Sequence, residues 1–329
     1  MEKLKIGVIG TGHLGKLHTK LLRTISECEL IGVYDLDTEK AKQTAEEFEV
    51  KAFDELNELL ENVDAVSIVA TTSAHYDLVN RAFDFEKDVF VEKPITVKIE
   101  EAEELVKRSN EENLLLQVGH IERFNPALVS LEKYPLEPKF IQTDRLAQFN
   151  PRGTDVAVVL DLMIHDIDII LSLIKSEVKT LAASGVAVVS ENIDIANARL
   201  EFENGAVANV TASRISQKKM RKMRIFQKDA YISLDFNSGV SEVFRLVSPY
   251  DAGENQFIQF GEMGVGEKKK LIIYEQPELR QINALQHELH LFVTAALKKE
   301  KPVVSGEDGL RALKVAEQII SKIEESKIV

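Results

Sequence analysis

The chain has 329 residues, 44% hydrophobic and 29% charged, the balance of an ordinary globular protein, and its length provides for two domains at about 100–200 residues each. A formal charge of −13 argues against a surface for nucleic acid or an anionic membrane, because polyanions need a basic footprint. Cys28 is the only cysteine, which excludes an intrachain disulfide, a thiolate metal cluster and a C-x-x-C redox pair, so a reducing compartment fits best.

The opening MEKLKIGVIG runs into a strand pattern without a signal-peptide core, and no apolar run approaches the ~18 residues of a membrane helix; a cytoplasmic protein is expected. Between Lys3 and His120, short β-branched runs (5–9, 30–34, 65–70, 89–91, 114–118) alternate with amphipathic stretches (14–25, 39–48, 100–110). Continuous apolar strands separated by helices predict an α/β fold whose doubly wound parallel sheet is covered on both faces. In IGVIGTGHLGKLH, Gly10, Gly12 and Gly15 form G-x-G-x-x-G between a strand and a helix that starts near His13 and Leu14. The glycines provide a tight turn, close approach of backbone to a pyrophosphate, and close helix packing, with the helix N-terminus facing the phosphates. Asp35 follows 20 residues after Gly15, where it would accept hydrogen bonds from ribose hydroxyls and repel a 2′-phosphate, favouring NAD over NADP. Lys40 and Lys42 lie just downstream and could offset that preference, while Asp37 and Thr38 read as caps of the next helix.

At the ends of the fourth and fifth strands come VATTSAHYDLV (69–79) and VEKPITV (91–97). Ligands of doubly wound sheets sit outside the carboxyl ends of strands, so Thr71, Thr72 and His75, with Glu92 and Lys93, fall where the cofactor should lie. Thr72, Ser73 and His75 could instead cap or solvate the next helix. A lysine at the nicotinamide end can hydrogen-bond a substrate hydroxyl and stabilise the alkoxide that develops as hydride leaves. Pro94 restricts Lys93 and can be cis, and Glu92 can orient the ammonium.

QVGHIERFNPA (117–127) precedes RGTDVAVVLDLMIHDIDIILSLI (152–174), where Asp161, His165 and Asp168 stand at i, i+4 and i+7 and stack on one helix face. That suits acid–base work, histidine taking a hydroxyl proton and aspartate setting its tautomer. A structural histidine is the bland alternative; a metal would need three ligands and an open position, and none is expected. From Phe140 to Tyr274 strand follows strand (140–148, 180–189, 196–202, 206–213, 223–227, 231–236, 243–247, 270–274), which predicts an open, mostly antiparallel sheet. Asn204–Gly205 marks a hairpin, residues 251–267 a polar loop, and the six cations of RISQKKMRKMR (214–224) a solvated strand connection. Two helical stretches, 282–299 and 308–325, close the chain, the second with a capping signal at Ser305.

The G-x-G-x-x-G loop, the E-K-P tripeptide at 92–94 and the aspartate four residues before a histidine at 161 and 165 resemble the Gfo/Idh/MocA family of nicotinamide-dependent sugar and cyclitol oxidoreductases. The resemblance covers nearly the whole chain. It implies a Rossmann domain over 1–120 and an α/β domain over 121–329 that binds substrate and often mediates oligomers, here a dimer or tetramer. A last helix over 306–325 would return to the Rossmann domain. In this family the lysine and the D-x-x-x-H pair are catalytic, which maps onto Lys93, Asp161 and His165. The stretches QVGHIERFNPA and DLMIHDID look like the branch that oxidises the 3-hydroxyl of UDP-N-acetylglucosamine, with Arg123, Asn125 and Arg152 as contacts for phosphate or sugar hydroxyls. The sugar would lie between the nicotinamide ring and the 161–168 helix. Two other readings stay open: a free-sugar or inositol dehydrogenase or reductase of the same family, and a regulator that senses NAD or sugar without chemistry.

Overall fold

The run LKIGVI, buried at every position but Lys5, forms β1 (Leu4–Ile9) at the centre of a six-stranded parallel sheet. Along the computed structural model, which describes residues 3–150, 156–249, 258–266 and 269–326, there follow α1 (His13–Leu22), β2 (Cys28–Tyr34), α2 (Thr38–Phe48), β3 (Lys51–Ala52), α3 (Leu56–Glu61), β4 (Ala65–Ile68), α4 (Thr72–Asp84), β5 (Asp88–Glu92), α5 (Ile99–Glu112) and β6 (Leu116–Gly119). The strand order β3-β2-β1-β4-β5-β6 reverses direction at β1 and β4, so the loops after these two strands open the crevice in which doubly wound sheets hold ligands. Helix α5 ends where the backbone turns left-handed at Asn113 (φ +56°), a region that its short polar side chain tolerates. Cys28 is buried in the core of this sheet, and burial pushes its thiol up to about 12, which leaves it chemically inert.

Next come α6 (Pro126–Val129), β7 (Phe140–Leu146), a π turn over Val159–Met163 that runs into α7 (Ile164–Ile174), and β8 (Val178–Val186). Then follow β9 (Ile195–Phe202), β10 (Val207–Ser213), β11 (Met220–Gln227), β12 (Ala230–Asp235), β13 (Val240–Val247), β14 (Ile258–Met263) and β15 (Lys270–Glu275). These nine strands form one sheet, antiparallel throughout except for the β7–β10 pair. Alternation of burial along β9 and β7 shows one face packed and the other outward. The outward face carries a row of rings, Phe140, Phe226, Tyr231, Phe244 and Tyr274, with neighbouring centroids 5.0–5.8 Å apart. Gly205 at φ +79° makes the hairpin between β9 and β10, supported by the Ala206 N–H donating to the Asn204 side chain. The expected loop over 251–267 is corrected in part: Ile258–Met263 pairs with β15 as an edge strand, and residues 251–257 and 267 lie outside the described residues.

The chain ends in α8 (Ala284–Lys298) and α9 (Gly306–Ser326), the latter opened by a reciprocal cap in which the Ser305 and Asp308 side chains accept from each other's N–H. It divides into two units, one running up to Ile121 and taking in Asn283–Lys314, the other comprising Glu122–Ile282 and the chain from Val315. α8 supplies Leu289, Phe292, Val293 and Ala296 to the same core as β1. No helix of the described residues is long and apolar enough to cross a membrane.

Candidate active site

The glycine loop explains itself by what a side chain would strike. Gly10 sits at φ +95°, and a Cβ there would come 2.7 Å from the Val69 carbonyl oxygen; one on Gly15 would overlap the carbonyl of Gly10. A Cβ on Gly12 would meet nothing within 4 Å, so at this point the loop faces open space. Gly12 is also the N-cap of α1, which therefore has neither a capping side chain nor an acid in its first turn. Helix-start N–H groups without a side-chain cap, beside backbone that nothing overhangs, fit the pyrophosphate of a dinucleotide. His13 and Leu14 are exposed at the same helix start.

Asp35, at the end of β2, is tied into this loop. Its Oδ2 accepts from the Thr11 N–H (2.6 Å) and hydroxyl (2.9 Å), and its Oδ1 from the Asp37 N–H (2.9 Å). A carboxylate has about four acceptor sites, so it keeps capacity for a ribose hydroxyl while the loop fixes its orientation. Asp37 caps α2 through the Lys40 N–H, as expected. At the end of β4, Thr71 is exposed and makes no side-chain cap bond at the start of α4, and Thr72 is half-buried beside it. His75 is displaced from its expected place on the cofactor surface. It is 1% exposed, with Nδ1 3.0 Å from the Pro94 carbonyl and Nε2 3.2 Å from that of Ala70. Burial lowers its pKa, against the two carbonyls, and a neutral ring donates to only one of them, which ties α4 to the neighbouring backbone.

Lys93 is half-buried directly after β5, and its bond to Pro94 is cis. The Glu92 carboxylate lies against Gly119, its register partner on β6, where a Cβ would stand 3.0 Å from the carboxyl carbon and both oxygens. On its other side is His18, whose Nε2 is 3.2 Å from Glu92 Oε1. Sequence reasoning missed His18. The signal was there: Gly15, His18, Thr19 and Leu22 form the buried face of α1 at i, i+3, i+4 and i+7, and an imidazole on such a face needs polar partners.

In the other unit Asp161 lies in the π turn and His165 in the first turn of α7, both half-buried. The π turn is wider than an α-helical one, so positions four apart stay close to one line, and such turns recur at functional sites. Asp168, the third member of the expected face, is turned inward at 1% exposure. Its two oxygens accept from Arg123 Nε (2.7 Å) and Nη2 (2.6 Å), a bidentate pair. Arg123 therefore braces α7 rather than standing ready for a ligand. Asn125 is likewise structural: its Oδ1 caps α6 through the Ala127 N–H, and its Nδ2 donates to Glu122 and to the Phe236 carbonyl. Arg152 lies outside the described residues. Of the basic stretch 214–224, Lys218, Lys219, Arg221 and Lys222 are exposed as expected, but Arg214 is buried beside Asp194 and donates to the Val156 carbonyl.

Arg145 holds Asp166, the residue after His165, through Nε (2.9 Å) and Nη2 (2.8 Å), and Glu122 through Nη1 (2.9 Å). Against burial, which lowers it, these two carboxylates raise the Arg145 guanidinium above its usual range, so it stays charged. Burial pushes the Asp166 carboxyl up, against the pull of Arg145. The two arginine pairs grip α7 at positions 166 and 168, just after His165.

A family model described as an oxidoreductase family with an NAD-binding Rossmann fold matches residues 4–120, and one described as a GFO/IDH/MocA C-terminal domain matches residues 138–233. Over 325 residues the chain is 36% identical to a UDP-N-acetylglucosamine 3-dehydrogenase of Acidithiobacillus ferrooxidans, covering 98% of each chain. A solved structure of that dehydrogenase superposes with a TM-score of 0.87 at 34% identity over 99% of both chains. A myo-inositol 2-dehydrogenase of Thermotoga maritima is 26% identical over 345 residues, 99% of this chain and 98% of that one.

Proposed function

This chain belongs to the Gfo/Idh/MocA family of NAD-binding oxidoreductases, and on that premise we propose that it oxidises a secondary hydroxyl of a nucleotide sugar, the 3-hydroxyl of UDP-N-acetylglucosamine. The observation that carries the substrate is the 36% identity, over 98% of both chains, to a dehydrogenase named for that compound. In this reading Gly10, Gly12 and Gly15, with the start of α1 at His13 and Leu14, hold the pyrophosphate of NAD. Asp35 takes the ribose hydroxyls, and Thr71, Thr72 and Glu92 border the nicotinamide half. Bound NAD supplies the hydride acceptor.

The remaining chemistry falls to side chains. His165, its tautomer set by Asp161, removes the hydroxyl proton, which by general-base catalysis is worth about 10²–10⁴ in rate. Lys93 donates to the same oxygen as negative charge builds on it, and a preorganised cation there spares water the reorganisation. Arg152 is the proposed contact for the diphosphate, where a planar fork suits two phosphate oxygens. The ring row on the outward sheet face, flanked by Phe260 at 68% exposure, supports association of copies of this chain. The single buried thiol is consistent with a cytoplasmic setting.

UDP alone tests the nucleotide part of the substrate. It is expected to inhibit turnover competitively against the sugar nucleotide, with glucose and inositol without effect. Turnover of inositol or a free sugar that UDP does not inhibit would instead favour the second reading, which the likeness to myo-inositol 2-dehydrogenase supports.

A further inference from the structure

His18 has no part in the roles above, yet it is fully buried and both its ring nitrogens address polar atoms on neighbouring strands. Nδ1 is 2.9 Å from Ser67 Oγ on β4, Nε2 is 3.2 Å from Glu92 Oε1 at the end of β5, and the ring meets Phe90 edge-on at 5.4 Å. Nδ1 and the serine hydroxyl form a hydrogen bond, while Nε2 lies beside the carboxylate without hydrogen-bond geometry and has no other partner among the described residues. An apolar side chain would fill this place at less cost, since burying an imidazole is unfavourable unless its nitrogens are partnered.

We propose that His18 is a positioning residue for Lys93, an inference that rests on the role given to Lys93 above. Glu92 is the last residue of β5, and its carboxylate is confined between His18 and the bare backbone of Gly119. That confines the side chain of the residue before Lys93. The residue after it, Pro94, is met at its carbonyl by His75, reaching from α4 at 3.0 Å. Two buried imidazoles from different helices thus hold the residues on either side of Lys93, which sets the direction in which its side chain leaves the strand. Misplacing a catalytic group by about 1 Å costs on the order of 10² in rate.

The test is a double-mutant cycle of His18→Leu with Lys93→Met, with kcat, KM, NAD affinity by calorimetry and thermal stability measured on each enzyme. His18→Leu is expected to lower kcat by about 10- to 100-fold, with NAD affinity kept within about threefold. On the Lys93→Met background it should add almost nothing, because the group it positions is gone. His18→Gln, whose amide keeps a polar group beside Glu92, should recover much of the loss. An equal loss of kcat on both backgrounds would overturn the proposal, as would a lowered melting temperature with unchanged kcat. An unimpaired Lys93→Met enzyme would overturn it for a separate reason, by refuting the role of Lys93 itself.

Discussion

Replacing Lys93 by Met or His165 by Asn is expected to lower kcat by about 10²–10⁴ while NAD binds within about threefold of its original affinity. Methionine keeps most of the length of Lys93 and removes the charge, so the loss measures stabilisation of the developing alkoxide rather than packing. Asparagine at 165 keeps a polar side chain but no base, and the limb of the pH–rate profile that reports deprotonation of the base should disappear. The two effects should not multiply, because base and cation act on one oxygen in one step. The chain has no tryptophan, so NAD affinity is best followed by calorimetry. If either variant lost NAD binding instead, the residue would belong to the cofactor site and the division of roles would be wrong.

The second large effect is on stability. Arg145→Leu leaves Asp166 and Glu122 buried without their shared cation, and removing one partner of a buried pair costs about 3–5 kcal/mol. For a cooperative unit of this size that is a fall in Tm on the order of 10 °C. The cost depends on pH in a definite direction. Without Arg145 the buried Asp166 carboxyl has a folded-state pKa raised above the unfolded value of about 4, so the folded state holds its proton more tightly. The penalty is therefore small near the unfolded pKa and grows as pH rises above it. Melting curves at pH 5 and pH 8 should show a smaller deficit at pH 5. A deficit that did not change with pH would mean the arginine contributes packing rather than charge.

Much of the fold could be read from residue order because the parallel strands are short continuous apolar runs and the glycine loop has a spacing that little else explains. The hairpin at Asn204–Gly205 and the caps at Asp37 and Ser305 are equally local, each needing only neighbours within a few residues. The bracing contacts of Arg123 and one of those of Asn125 are not legible in the sequence because the partners, Asp168 and the Phe236 carbonyl, are remote in it, whereas the Asn125 contacts with Ala127 and Glu122 are local. Asp168 lies 45 positions beyond Arg123, and an arginine beside a motif looks the same whether it waits for phosphate or is spent on a buried carboxylate. His75 and His18 belong to the same class: each sits on the buried face of an amphipathic helix, where the period alone could have placed them inside. β14 was hidden by Gly261 and Glu262, and it exists as an edge strand through its pairing with β15.

The most direct test mixes purified protein with NAD⁺ and UDP-N-acetylglucosamine and follows reduced-nicotinamide absorbance and the mass of the sugar nucleotide, with glucose, inositol and no sugar as parallel controls. The predicted result is reduced nicotinamide and a product lighter by two hydrogens, oxidised at the 3-position, with the sugar nucleotide alone. Turnover confined to a free sugar or inositol would contradict the substrate assignment, and NAD binding with no turnover of any of them would contradict the assignment of chemistry to Lys93 and His165.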